Sequence, residues 1–260
     1  MQGIGLVLSG GGVRGIAHLG VLQALDELGI RPSIISGVSV GALIGALYAA
    51  GQTPEQILNL AKREGYFKIA NIKFPGGLFS ADNLRHILHE LIPTDNFASL
   101  LIPLIVTSTD LLAGQSIIFD SGPLHEPIIA SCAIPLVFKP VKYMDYILVD
   151  GGVVNNLPVA PLRQKCKYVI GSHVNKLYNS LEVPQLGRLN VMERCFHMAI
   201  SSVVQSQASL CDVFIEPCLS GYSMFDMRNA GRLFEAGYNA TLDCIQSLLN
   251  IQYEIKPRKL

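Results

Sequence analysis

Short apolar runs alternate with stretches of helical spacing along this chain, and glycine-rich turns join several of them. Residues 3–8 are an apolar run, and a glycine loop separates them from the helical spacing of 15–28. Ile34 and Ile35 lead through a sharp turn at 37–41 into an apolar helix that ends near Ala50. Strands that alternate with helices predict an α/β fold, a three-layer α/β/α sandwich with a mostly parallel central sheet.

The remaining elements follow from the same patterns. One hairpin is expected, between 103–109 and 115–119. Further strands are predicted at 144–149, 167–172 and 212–216, and further helices at 54–64, 81–91, 123–132, 158–165, 190–209 and 229–249.

Composition limits the class of protein. Half of the 260 residues are apolar and only 15% are charged, which excludes a disordered or fibrous chain. Twenty basic residues balance twenty acidic ones, so a nucleic-acid-binding protein with a general positive field is also excluded. No internal repeat or linker interrupts the pattern, and residues 1–260 are interpreted as a single domain.

The six cysteines all lie in the second half of the chain, without a CxxC pair or zinc-type histidine spacing. We therefore expect reduced core thiols, no metal and no cofactor. The start of the chain lacks a basic segment and a long apolar segment, which indicates a cytoplasmic protein without a signal peptide. Residues 32–54 carry no charge, but prolines, serines and glycines interrupt them, so a buried strand, turn and helix fit better than a membrane span.

The turn at Gly10–Gly15 lies between the first strand and the first helix and matches the GxGxxG pattern. A dinucleotide site of this kind also needs an acidic residue about 20 positions further on. The chain has Ser33–Gly37 there, so dinucleotide binding is the weaker interpretation. Backbone amides at a helix N-terminus can still hold an anion, whether a phosphate or the oxyanion of a reaction intermediate.

The turn Gly37-Val38-Ser39-Val40-Gly41 follows a strand and precedes a helix. GxSxG in this position is typical of a nucleophile elbow, whose strained backbone exposes the serine hydroxyl at the carboxyl edge of the sheet. The alternative is a packed glycine-rich turn without chemistry. An ordinary α/β-hydrolase would also need a histidine base, and His173, after the strand 167–172, is the one histidine placed for that role.

Asp150 ends an apolar strand and is followed by Gly151 and Gly152. Taken alone, such an aspartate is a turn former or a helix cap. Because its strand is expected in the same parallel sheet as the strand before Ser39, both side chains should emerge at one sheet edge, where ligands bind in open α/β folds. The two glycines leave room for a substrate beside the carboxylate.

The three turns together resemble the patatin-like phospholipase family. The resemblance is carried by Ser9–Gly15, Gly37–Gly41 and Asp150–Gly152, in that order, and by the first helix at Ala17–Leu22. It covers residues 3 to about 165, and the short chain resembles the compact bacterial members of the family. Each motif alone is weak evidence for the resemblance, but the three motifs in this order are specific to the family.

The resemblance implies a serine lipid acyl hydrolase, of the phospholipase A or lysophospholipase type, with a Ser–Asp dyad and no histidine. Ser39 would be the nucleophile and Asp150 the general base, and Gly10, Gly11 and Gly12 would form the oxyanion hole. Residues that would support these motifs are Arg14, Gly15, Gly37, Gly41, Gly151 and Gly152. The implied partner is a lipid substrate met at a membrane or micelle surface, and a homo-oligomer stays open.

Other functions remain compatible with the sequence: the same chemistry on soluble short-chain esters, acyl transfer, or a non-catalytic lipid- or nucleotide-binding domain. Residues 66–79 combine large apolar side chains with Pro75-Gly76-Gly77, which suits a lid or an acyl-chain rim as well as an ordinary packed loop. Residues 220–227 are a second candidate for the rim. Arg14 would orient the glycine loop, balance a bound phosphate or form a structural salt bridge.

Overall fold

An eight-stranded mixed sheet runs through the part of the chain that the computed structural model describes, residues 3–64, 81–178, 188–225 and 227–255. Its strands are β1 Ile4–Leu8, β2 Ile34–Val38, β3 Leu104–Asp110, β4 Gln115–Phe119, β5 Val141–Tyr143, β6 Tyr146–Asp150, β7 Tyr168–Ser172 and β8 Val213–Ile215. The helices are α1 Ile16–Glu27, α2 Val40–Ala49, α3 Pro54–Glu64, α4 Ala81–Leu91, α5 His125–Ser131, α6 Ala160–Arg163, α7 Arg188–Ala208, α8 Ala230–Asp243 and α9 Ile245–Ile255. The strand order is β5-β6-β3-β2-β1-β7-β8, and β4 also pairs with β3.

Five strands (β1, β2, β3, β7 and β8) pair in parallel, and apolar side chains cover both of their faces. In β1, Leu6 and Leu8 belong to the larger core cluster, which includes side chains of α1, α2 and α8. Val7, on the opposite face, joins Leu162 of α6 and Val204 of α7 in a second cluster. The predicted three-layer sandwich with a mostly parallel sheet is therefore confirmed.

The strand that ends at Asp150 runs the other way from the prediction. β6 is antiparallel to β3, with Ser108 opposite Asp150. β4 pairs with one edge of β3 over Val106–Asp110. The other edge of β3 pairs first with β2, as far as Thr107, and then with β6 from Ser108 onward. The ends of β2 and β6 therefore meet head to head.

Two further details differ from the sequence prediction. β5 and β6 form a second hairpin, whose two-residue turn is Met144-Asp145, so the expectation of one hairpin is wrong. The helix predicted over 229–249 is two helices, α8 and α9, with a break at Cys244.

The six cysteines form no disulfide. Cys166 is buried, but Cys195 and Cys218 are exposed, so the prediction of core thiols is wrong for those two. Their helix and loop faces point to water, which composition alone could not show.

The uncharged stretch at 32–54 folds as β2, a turn and the buried α2, as predicted. Among the described helices, none has both the length and the apolarity of a membrane span. The predicted lid or rim at 66–79 lies outside the described residues.

Candidate active site

Ser39 occupies the turn between β2 and α2 in a left-handed backbone conformation, with φ 54° and ψ −130°. An L-residue in this region costs about 1–3 kcal/mol and persists only where its surroundings enforce it. Here the enforcement is close packing: a Cβ at Gly37 would lie 2.6 Å from the carbonyl oxygen of Gly41, and one at Gly41 would collide with the carbonyl oxygen of Leu8. The two motif glycines therefore let α2 approach the sheet closely enough to hold the turn.

Ser39 donates a hydrogen bond of 2.6 Å from Oγ to Oδ2 of Asp150. Both residues are 5% exposed. The head-to-head arrangement of β2 and β6 explains this contact, because each side chain stands at the last position of its own strand or one residue beyond it. The other carboxylate oxygen, Oδ1, accepts a hydrogen bond of 2.8 Å from the amide of Gly152.

Burial raises the pKa of Asp150 to about 6, against the opposing effect of hydrogen bonds from Ser39 and Gly152. Desolvation dominates because the charged form of a carboxylate loses its hydration in an apolar setting. The carboxylate is therefore more basic than an ordinary aspartate, yet still ionised near neutral pH. This is the direction of shift that a base for a hydroxyl group requires.

The glycine loop lies against Ser39 and against the segment around Met224. Gly12 has φ +55°, and a Cβ there would lie 2.5 Å from the carbonyl oxygen of Met224. That same oxygen accepts a hydrogen bond of 2.9 Å from the amide of Val13. Within the described ranges, the amides of Gly10, Gly11 and Gly12 donate no hydrogen bond, so these groups are free to bind an anion.

Arg14 fixes the far side of this loop. Its Nη2 lies 2.8 Å from Oε1 of Glu193 in α7, and its Nε donates to the carbonyl oxygen of Tyr222 at 2.8 Å. Both charged side chains are largely buried, and burial lowers the pKa of Arg14 and raises that of Glu193. Of the roles considered for Arg14, the salt bridge is present, and it ties the glycine loop to α7.

A cavity of about 270 Å³ opens beside Ser39. Its polar lining includes Ser39, Asp150 and Asn156. Asn175 and Glu193 also line the cavity, and its apolar walls are formed by Ile134, Pro135, Leu136, Val153, Met192, Phe196, Met224 and Phe225. The segment 220–227, a candidate for the rim, lines the cavity through Met224 and Phe225, and both of these side chains are buried.

His173 belongs to a different cavity. Its Nδ1 lies 3.0 Å from Oε1 of Glu216, and with His197 it lines a second cavity of about 280 Å³. It is not among the described residues that line the cavity of Ser39. The histidine singled out as a candidate triad base is therefore engaged elsewhere.

Two polar residues of the site were missed by sequence reasoning. Ser131, at the end of α5, accepts a hydrogen bond of 2.8 Å from the amide of Ser39 and donates one of 2.6 Å to the carbonyl oxygen of Thr107. Asn156 is 2% exposed, and its buried Nδ2 has no hydrogen-bond partner in the described structure. Ser131 carries no motif, whereas the Asn155-Asn156 pair, close after the Asp-Gly-Gly turn, could have signalled the second residue.

The chain matches a known protein family over the residues that carry the three turn motifs. The family model described as patatin-like phospholipase matches residues 6–163. An uncharacterized NTE family protein of Mycobacterium tuberculosis is 37% identical over 163 residues, which cover 61% of this chain and 45% of that protein. The neuropathy target esterase sws of Drosophila melanogaster is 32% identical over 164 residues, which cover 60% of this chain and 12% of that protein. This chain thus matches less than half the length of either relative.

The fold also has a counterpart among solved structures. The crystal structure of VipD from Legionella pneumophila superposes with a TM-score of 0.65 and 15% sequence identity. The superposition covers 95% of this chain and 67% of VipD, so the likeness in fold extends well beyond the three motifs.

Proposed function

This chain belongs to the patatin-like phospholipase family, and we propose that it hydrolyses the carboxylic esters of lipids through an acyl-enzyme on Ser39. The observation that carries the proposal is the 2.6 Å hydrogen bond between Ser39 and Asp150 beside an apolar cavity. The name of one relative, a neuropathy target esterase, is consistent with ester hydrolysis.

The first step is attack on the substrate. Oγ of Ser39 forms a bond to the ester carbonyl carbon, and its proton passes to Oδ2 of Asp150 along the existing hydrogen bond. Direct contact makes an imidazole relay unnecessary, and burial supplies the basicity that an exposed aspartate lacks. General-base action of this kind contributes about 10²–10⁴ in rate.

The tetrahedral intermediate places negative charge on the former carbonyl oxygen. The amides of Gly10, Gly11 and Gly12, for which the described residues provide no backbone hydrogen-bond acceptor, would donate to that oxygen. One such donor contributes about 10²–10³ in kcat. The loop is held for this task by Arg14 and by the backbone contact between Val13 and Met224.

Collapse of the intermediate breaks the bond to the alcohol, which leaves with the proton held by Asp150. Water then attacks the acyl carbon and gives a proton to Asp150. The bond between that carbon and Oγ of Ser39 breaks, Asp150 returns the proton to Oγ, and the fatty acid leaves. Each half of the cycle returns the carboxylate to its ionised state. The dyad therefore needs no cofactor for this chemistry.

The acyl chain would occupy the apolar walls of the cavity. Met192, Phe196, Met224 and Phe225 offer no charge to pair with a polar acid, so a long hydrocarbon chain is favoured over a short polar one. We therefore propose lipid esters as the substrate class, rather than soluble short-chain esters.

The first prediction tests the dyad with a matched pair of variants. Asp150→Asn keeps the shape of the side chain but cannot take the proton, so kcat should fall at least 100-fold on both a long-chain phospholipid and p-nitrophenyl butyrate. His173→Ala should retain most activity. Circular dichroism checks that each variant is folded. If His173→Ala were the crippling change while Asp150→Asn stayed active, a triad would replace the dyad.

A further inference from the structure

Two hairpin turns project beyond the catalytic edge of the sheet. β3 is level with the end of β2 at Thr107 and then continues through Asp110 into the turn 111–114. At about 3.3 Å per residue, the end of β3 at Asp110 lies roughly 10 Å beyond that level, and the turn that carries Leu112 follows it. The amide of Leu111 donates to the carbonyl oxygen of Ile147 at 2.8 Å, which places the turn of the β5–β6 hairpin beside the first turn.

These turns and the rim of the cavity expose large apolar side chains. Leu112 is 75% exposed, Met144 is 69% exposed and Leu136, which lines the cavity beside Ser39, is 72% exposed. Leu111, in the same turn as Leu112, is 51% exposed. We name Leu111, Leu112, Leu136 and Met144 the apolar overhang.

The backbone of the overhang is unusual as well. Among the described residues, only three non-glycine residues have positive φ: Ser39, Leu136 at 68° and Met144 at 50°. A two-residue hairpin turn ordinarily has glycine or asparagine at such a position. The chain thus keeps large apolar side chains where both water and the backbone disfavour them, and such outliers point to function.

We propose that the apolar overhang inserts into the surface of a lipid bilayer and directs the cavity beside Ser39 toward it. The inference rests on the proposed function, since the substrate of a lipid hydrolase must leave a lipid surface. Leu136 and Val153 are both exposed to solvent and line the cavity, so apolar side chains lead from the surface into the cavity beside Ser39. Two exposed lysines, Lys139 and Lys142, lie on the segment that leads into the Met144 turn, and the turn itself contains one exposed acidic residue, Asp145. This local excess of positive charge suits anionic headgroups.

The absence of tryptophan from the chain gives a direct test of insertion. Leu112→Trp, made in a Ser39→Ala background so that the lipid stays intact, should show blue-shifted emission with vesicles of phosphatidylcholine and phosphatidylglycerol at 4:1 by weight. Leu101→Trp in the same background is the matched control. Leu101 is 77% exposed but precedes β3, at the opposite end of that strand, and its emission should not move. Unshifted emission from Leu112→Trp, or equal shifts at both sites, would overturn the proposal.

A second pair of variants separates docking from chemistry. Leu112→Ser with Met144→Ser should weaken binding to the same vesicles at least tenfold, because each removes an apolar side chain from the lipid. Hydrolysis of p-nitrophenyl butyrate should be unchanged, and Leu101→Ser should alter neither property. Raising the salt to 0.3 M should leave most of the binding in place, since insertion is apolar.

Two results would contradict the docking proposal. The first is a loss of soluble-ester activity in the double variant as large as its loss of vesicle binding. The second is a wild-type dimer in light scattering that the double variant dissociates, because a second copy of the chain would then cover the overhang. A wild-type protein that binds vesicles through Leu112 but hydrolyses no ester would instead refute the proposed function alone.

Discussion

At the residue scale, the chemistry depends on a carboxylate that has lost most of its contact with water. Asp150 is held between the Ser39 hydroxyl and the Gly152 amide, and burial still raises its pKa to about 6. Only the ionised carboxylate can take the proton of Ser39. The active fraction therefore grows as the pH rises through about 6 and is lost as the pH falls below it.

The second prediction follows from this direction of the pH dependence. kcat/KM on p-nitrophenyl butyrate, measured between pH 4.5 and 8, should fall on the acid side with an apparent pKa of about 6. A histidine base would titrate in nearly the same range, so the profile of His173→Ala is the control. An unchanged acid limb in that variant assigns the limb to Asp150, whereas a limb that disappears would assign it to His173.

Ser39 and Asp150 could be found from the sequence because glycines with a structural reason surround each of them. A Cβ at Gly41 would collide with the backbone carbonyl of Leu8, and one at Gly151 with that of Thr107. Because only glycine fits at these positions, the close backbone packing is visible in the sequence as a motif. Ser131 and Glu193 act through side chains on distant helices. Nothing local in the sequence distinguishes them from other polar residues.

At the element scale, close helix packing determines which glycines can be replaced. α1 and α8 touch through Gly20 and Gly237: a Cβ at Gly20 would collide with the carbonyl oxygen of Phe234, and one at Gly237 with that of Ala17. Gly231 lies in the same helix α8, but a Cβ there would meet nothing within 4 Å. The two glycines of α8 thus form a matched pair.

The third prediction uses this pair. Gly237→Ala should lower the free energy of unfolding by about 1–3 kcal/mol, because the added methyl group forces the helices apart. Gly231→Ala should be neutral or stabilising by up to about 1 kcal/mol, since alanine has the higher helix propensity. Urea unfolding followed by circular dichroism measures both. Similar values for the two variants would mean that α1 and α8 pack less closely than described.

The elements that sequence reasoning missed have no glycine or proline at the point where the chain turns or the helix breaks. β5 has only three residues, and its turn to β6 carries Met144 where glycine would have signalled a hairpin. Without that signal, the sequence predicts β6 as a strand of the parallel sheet, and its reversed direction is seen only in the structure. The break between α8 and α9 at Cys244 likewise contains neither glycine nor proline.

At the scale of the whole molecule, one end of the sheet carries the Ser39–Asp150 contact, the apolar cavity and the two projecting turns. The three-layer arrangement could be predicted from the alternation of apolar and helical segments, because it depends on patterns that every part of the chain repeats. The β3–β4 hairpin with its turn could be predicted as well. The projecting turn of the β5–β6 hairpin could not be predicted, because it depends on the reversed direction of β6, whose end meets that of β2 head to head. Long-range pairing of this kind has no local signature.

The most direct test of the central claim surveys every hydroxyl group of the molecule at once. A fluorophosphonate reacts with an activated serine, whose oxygen forms a bond to phosphorus as fluoride leaves, and peptide mass mapping locates the product. We predict a single adduct on Ser39 in the wild-type protein and in His173→Ala, and none in Ser39→Ala, which should also be inactive on lipid. An adduct on another serine, or an active Ser39→Ala protein, would contradict the account.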